Sequence, residues 1–297
     1  MLALALPALA AAQGGATALE KIRDTKTVTM AYRTNALPFS YKDSKGQPAG
    51  FTVELCKRIA ASMQSQLKIA DLKVKWVEAT SQNRFELVEE REVDMECGAT
   101  TATLKRMERV DFSSYVFVDT TGVLARATSG IRAFSDLAGK KIAVIAGTTN
   151  EKALKAALKS GLIKAEVVSQ DSRDSAVAAL EVGTVDAFAS DKIPLEGIAG
   201  KLKNASQYGL LPDDLSIEPY AIMLPRGCST SLAIGEFVKH CIWPDSAEQF
   251  SPRVLRNDIC DAALVAALRI RPPGGRFGPD KRSIRSNSPM NIGTLVA

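Results

Sequence analysis

The residues with the most chemical content lie in three short runs: Thr80-Ser81-Gln82-Asn83-Arg84, then Glu96-Cys97-Gly98-Ala99-Thr100-Thr101, then Arg106. They bring hydroxyls, backbone amides and two arginines to what read as strand ends and helix starts. Hydroxyls and helix N-terminal amides donate hydrogen bonds, and a guanidinium grips a carboxylate with two parallel bonds. Such a set suits the capture of a small carboxylate better than a covalent reaction. Triad chemistry needs a base beside a serine or cysteine, and the only histidine, His240, is far from these runs. Taken alone, a Ser-x-x-Arg reads first as a helix cap beside a solvated arginine. The elements around it have to decide.

Those elements are legible as an alternation. Thr27–Ala31 reads as a buried strand and Phe39–Tyr41 as a short one. Apolar residues at Phe51, Leu55, Ile59, Ala60 and Met63 keep a helical spacing, which leaves Glu54 on an exposed face. Val74–Val77 is a strand, Asn83–Glu90 a helix, Val93–Met95 a strand, Ala102–Arg109 a helical turn and Val110–Ser113 a strand or loop. A second series follows: strand Val123–Ala125, strand Ile142–Ile145, helix Lys152–Lys159, strand Glu166–Val168, helix Asp174–Leu180 and strand Val185–Ala189. Thr148, with Glu151 three residues on, predicts a capping box. Ser216–Leu224 is extended and reads as the return to the first series. Strands and helices in alternation predict an α/β layered architecture in two units.

Bulk properties bound the rest. A chain of 297 residues, 46% hydrophobic and 24% charged, can bury one large core or two modest ones. The net charge is +5, but from Arg271 onward there are five basic residues and one acid, so the tail carries most of it. A nearly neutral body offers no footprint for nucleic acid. Met1–Ala12 is a short apolar run ending in small residues, which reads as a signal-peptide remnant too short to span a bilayer. Five cysteines without a CxxC pair argue against a zinc site and against a framework that pairs them all. Residues 272–297 read as a disordered basic tail.

The runs Tyr32–Tyr41, Gly50–Leu55 and Ile59-Ala60 resemble the first lobe of extracellular solute-binding proteins of polar amino-acid ABC importers. Thr80–Arg84 and Glu96–Thr101 resemble most the glutamate/aspartate-binding branch of that family, family 3. Asp136–Lys140, Val144–Thr149 and Leu180–Ala187 resemble its second lobe. The resemblance covers about residues 20–225. It implies a two-lobed periplasmic binding protein fold with two crossing hinge strands, near Val118–Thr121 and Glu218–Ala221, closing on ligand. Lobe 1 is then 20–118 with 222–271, and lobe 2 is 119–221.

The resemblance also implies roles. Arg106 matches the arginine that grips the ligand α-carboxylate, with Thr100, Thr101 and Thr149 sharing that load, and Asp174 pairs with the α-ammonium. Arg33, Arg84 and Ser81 match the residues that hold a side-chain carboxylate. Two buried guanidiniums facing a neutral side chain would be left unpaired, a costly state. Three positions depart from the branch: Ala99 replaces a serine, and Arg173-Asp174 replace a histidine and a glycine. They leave room for glutamine or asparagine. The family's closing helix with its aromatic Trp-Phe pair is not recognisable here, where Trp243 is followed by Pro244 and an unfamiliar run. The expectation is a monomeric periplasmic protein, not an enzyme, without cofactor or metal. It would deliver glutamate or aspartate to a membrane permease. The alternatives are a cyclohexadienyl-dehydratase-like enzyme on the same fold, or a ligand-sensing module.

Overall fold

The computed structural model describes residues 18–227. The leader-like run, residues 228–271 of the expected first lobe and the basic tail lie outside them. So do His240, Trp243 and three of the cysteines.

The chain opens with α1 (Ala18–Thr25) and β1 (Thr27–Arg33), then a small antiparallel sheet of β2 (Asn35–Ala36), β3 (Ser40–Lys42) and β4 (Pro48–Ala49). Helix α2 (Phe51–Gln66), β5 (Lys73–Ala79), α3 (Arg84–Glu89), β6 (Met95–Glu96), α4 (Leu104–Met107) and β7 (Asp111–Phe112) follow. The long strand β8 (Phe117–Arg126) leads to β9 (Lys141–Ile145), α5 (Thr149–Ser160), β10 (Glu166–Gln170), α6 (Arg173–Val182), β11 (Ala187–Asp191) and α7 (Lys192–Ala199). Strands β12 (Tyr208–Leu210), β13 (Ile217–Tyr220) and β14 (Met223–Leu224) complete it.

Two main sheets result. The first runs β5-β1-β6-β14-β7, with β5, β1 and β6 parallel. The second runs β10-β9-β11-β8-β12, with β10, β9 and β11 parallel and β8 antiparallel to β11. Every residue of β1 after Thr27 is buried, as expected of a central parallel strand covered on both faces. Helix α2 places Leu55, Cys56 and Ile59 against Val28 and Met30 in one core. The second sheet carries a core on each face, one around Ile142, Val144 and Leu154, the other around Ala143, Leu180 and Phe188. A disulfide joins Cys56 on α2 to Cys97 after β6 inside the first core, a pairing that cysteine spacing did not reveal.

The two crossings stand where the family resemblance put them. β8 follows β7, the edge strand of the first sheet, and enters the second, and β13 comes back beside it, pairing Asp119 with Glu218 and Val118 with Pro219. Then β14 joins the first sheet between β6 and β7. The extended return Ser216–Leu224 is thus two strands, one in each assembly. Two expectations are refined. The Thr148 hydroxyl does accept from the Glu151 amide, but the Glu151 carboxylate reaches back to the Gly147 amide rather than to Thr148. The sequence pattern also gave no sign of α7, whose first turn contains Pro194. Nor did it anticipate α1 or the short strands β2, β4 and β12; the main strands and helices it did predict lie within a few residues of their expected positions.

Candidate functional site

In open parallel sheets, groups for ligand capture collect beyond the carboxyl ends of the strands. Here six such ends meet. From the first sheet, Arg33 closes β1, Ser81 and Arg84 follow β5, and the segment Glu96–Thr101 begins in β6. From the second, Thr148 and Thr149 follow β9, Arg173 follows β10, and Asp191 closes β11. Contacts join the two sides. The Arg173 guanidinium donates to the Asn35 carbonyl at 3.1 Å, and the Asn35 side-chain amide donates to Asp174 at 3.1 Å. Gln82 donates to the Asp171 carbonyl.

Three arginines are sunk into this cleft, Arg33, Arg84 and Arg173, exposed by only 6%, 5% and 6%. Arg33 Nη2 donates to the Ser81 hydroxyl at 3.0 Å. Arg84 Nη1 donates to the Thr100 hydroxyl at 2.9 Å, and Thr100 donates onward to Glu96 at 2.7 Å. A Cβ at Gly98 would lie 2.0 Å from Glu96 Oε1, so any side chain there would displace that carboxylate. Each of the three guanidiniums has a buried Nε without a hydrogen-bond partner among the described residues, and Glu96 Oε1 has none either. Burial first, then repulsion from Arg84 and Arg173, lowers the Arg33 guanidinium to about 9. Arginine does not lose its proton in proteins, so the shift reports positive charge that its surroundings under-compensate.

Arg106 stands beside them, half-buried. The Thr103 hydroxyl caps α4 at the Arg106 amide, and Arg106 Nη1 donates to the Thr101 carbonyl at 2.7 Å. Its guanidinium lies over the Phe85 ring at 5.1 Å. Burial, then the Arg84 charge, lowers it to about 10. The threonines differ from expectation in one respect. The hydroxyls of Thr101 and Thr149 both donate to Glu218, at 2.6 and 2.7 Å.

The structure therefore brings together Arg33, Ser81, Arg84, Thr100, Thr101, Arg106 and Thr149. Asp174 is at the edge, exposed and bonded to Asn35. The buried carboxylate near Arg173 is Asp191, which accepts from Asn150 at 2.9 Å and whose pKa burial raises. Sequence reasoning missed Asp191 and Glu218. The available signal for Asp191 was an acid at a strand end that starts a helix; Glu218 carried none. The interacting charges are four guanidiniums (Arg33, Arg84, Arg106, Arg173) and four carboxylates (Glu96, Asp174, Asp191, Glu218). A further acid, Asp119, is engaged by the Tyr220 hydroxyl and the Ile193 and Thr120 amides. The described residues hold no cluster of metal-ligating side chains.

The chain is similar to known solute-binding proteins in sequence and fold. The profile of the bacterial extracellular solute-binding proteins, family 3, matches residues 28–166. An L-glutamate/L-aspartate-binding protein of Pseudomonas aeruginosa is 34% identical over 210 residues, 70% of each chain. A solved periplasmic binding protein from Brucella ovis with glutathione bound aligns at 26% identity and a TM-score of 0.68, over 76% of this chain and 69% of that one. An ancestral amino acid-binding protein described as a precursor of cyclohexadienyl dehydratase aligns at 25% identity and a TM-score of 0.62, over 75% and 92% of the two chains.

Proposed function

The chain belongs to the bacterial extracellular solute-binding proteins, family 3, and from that premise we propose that it captures glutamate or aspartate in the cleft between its two sheets. The observation that carries this reading is the set of three buried arginines whose Nε atoms have no partner among the described residues. An acidic amino acid carries one net negative charge and supplies carboxylate oxygens for buried N–H donors. Its amide, glutamine or asparagine, offers no second carboxylate to those guanidiniums, and a buried guanidinium without an anionic partner is costly. Lysine or arginine would add like charge.

In this reading Arg33, Arg84 and Ser81 hold the distal carboxylate, with Arg173 adding a third guanidinium. Arg106 grips the α-carboxylate, and Thr100, Thr101 and Thr149 line the wall around it. Asp191 pairs with the α-ammonium; Asp174 serves at the rim. Hinge closure over β8 and β13 then buries the ligand. The lobes are 20–118 with 222–271, and 119–221. Delivery to a membrane permease and a periplasmic location follow from the family, and a buried disulfide suits an oxidising compartment. No described helix is long and apolar enough to cross a membrane.

Titration calorimetry tests the reading. Glutamate and aspartate should bind more tightly than glutamine, and Arg33→Ala or Arg84→Ala should weaken the two acids more than the amide. Equal losses for all three ligands would remove the distal-carboxylate assignment. The likeness to a dehydratase precursor supports one alternative, an enzyme on the same fold. Turnover of a prephenate-like cyclic acid would select it.

A further inference from the structure

Glu218 lies in the hinge strand β13, 1% exposed, and four hydroxyls converge on its carboxylate. Oε1 accepts from Thr121 at 3.0 Å and from Ser216 at 2.5 Å. Oε2 accepts from Thr101 at 2.6 Å and from Thr149 at 2.7 Å. The donors come from different parts of the molecule. Thr101 belongs to the first sheet's side of the cleft, where it bridges to Tyr220. Thr149 opens α5 beside the second sheet, while Thr121 and Ser216 belong to the two hinge segments. An ionised carboxylate only accepts, so Thr101, Thr121 and Thr149 direct their protons to Glu218, while the single Ser216 proton is shared between Glu218 and the Thr121 hydroxyl, 2.8 Å away. The network runs on through Thr121, which accepts from Asn150 at 2.7 Å, and Asn150 also donates to Asp191 at 2.9 Å.

A buried carboxylate with one or two of these donors would be an ordinary satisfied group. What sets Glu218 apart is that one of its oxygens collects one hydroxyl from each side of the cleft, and the other collects both hinge hydroxyls. The Thr101 and Thr149 oxygens are drawn to within 3.4 Å of each other by this shared acceptor. One hinge side chain thus holds a hydroxyl from each side of the cleft.

We infer that Glu218 is a positioning residue for ligand capture, clamping Thr101 and Thr149 to the hinge on one oxygen and so lengthening the life of the closed form. The inference rests on the amino-acid reading above. Glu218 need not touch the ligand; it acts through the two threonines. Loss of a contact made only in the closed form should appear in dissociation far more than in association.

A double-mutant cycle in ligand kinetics tests it, with glutamate as the probe and the full chain as the protein. Glu218→Gln leaves one acceptor oxygen for two opposed pairs of hydroxyls. It should raise Kd about tenfold, nearly all of it through faster dissociation, with association unchanged. Thr149→Val should cost about tenfold in the wild-type background and less than threefold in the Glu218→Gln background. Thr149→Ser, which keeps the hydroxyl, should restore the wild-type rate. Additive losses, or losses that appear mainly in association, would overturn the inference. Should Glu218→Gln not fold, the cycle between Thr101→Val and Thr149→Val replaces it: both donate to one oxygen, so their costs should be strongly non-additive, and simple addition would overturn the inference equally. A wild-type chain that binds no acidic amino acid refutes the glutamate reading and this inference with it. A wild-type chain that binds, with an additive cycle, refutes this inference alone.

Discussion

At the scale of single residues, arginine burial explains most of the site. A guanidinium removed from water keeps its charge, so its cost must be met by neighbouring acceptors or by a ligand. Ser81, Thr100, Asn35 and Glu96 satisfy part of that demand, and the three unpartnered Nε atoms show the remainder. Arg106→Ala should weaken binding of every amino acid by about 2–5 kcal/mol, the range for truncating one partner of a buried charged pair; calorimetry with glutamate, aspartate and glutamine checks it. Asp191→Asn and Asp174→Asn separate the two candidate ammonium partners. The buried Asp191 should cost about tenfold or more, and the exposed Asp174, bonded to Asn35, less than threefold. The reverse order would return the role to Asp174. Types and spacing singled out Ser81, Arg84, Thr100, Thr101 and Arg106 because hydroxyls and arginines clustered in short runs; Arg33 and Thr149 entered only through the family resemblance. Asp191 and Glu218 escaped because each is a lone acid, and only packing distinguishes a buried carboxylate from a solvated one.

At the scale of elements, strand ends and helix starts place those side chains, and the hinge pair governs how they meet. Thr148 caps α5, so Thr148→Ala should lower stability by about 1 kcal/mol in urea unfolding. Asp119 sits in the hinge portion of β8. Burial, with the Asp191 charge second, pushes its carboxyl up to about 6. An unfolded aspartate titrates near 4. Between these values the native chain binds the extra proton, so stability falls as pH rises from about 4 to about 6. The size of that component is on the order of 2 kcal/mol. Asp119→Asn should remove it, and denaturation at several pH values in this window should then give a flatter profile than wild type. An unchanged slope would assign the titration elsewhere. The main strands and helices were legible because their apolar periods are clear. Helix α7 was not, since Pro194 in its first turn reads as a breaker, although proline is tolerated where the amide has no intrahelical partner.

At the scale of the whole molecule, the site exists only because two separate sheets face each other across β8 and β13. Asn35 and Gln82 on one side meet Arg173, Asp174 and Asp171 on the other. Such bonds belong to the closed form, so Asn35→Ala should weaken glutamate binding by about 1 kcal/mol, the usual net worth of a hydrogen bond, with little change in unfolding stability. Ligand that binds the native chain alone should also raise its stability, by about 2.7 kcal/mol at one hundred times Kd; a thermal-shift screen of amino acids reads this directly. By itself, the sequence determined the α/β class, the family, the two hinge crossings and the first-sheet half of the site. Local periodicity and short motifs carry that information. Only the tertiary structure decided which charges are buried, that Cys56 and Cys97 pair, and that Asp191 and Glu218 join the cleft. Burial and charge pairing depend on residues brought together from distant parts of the chain. Thr80–Arg84, which alone reads as a helix cap, becomes half of an arginine-lined cleft only when the second sheet closes over it.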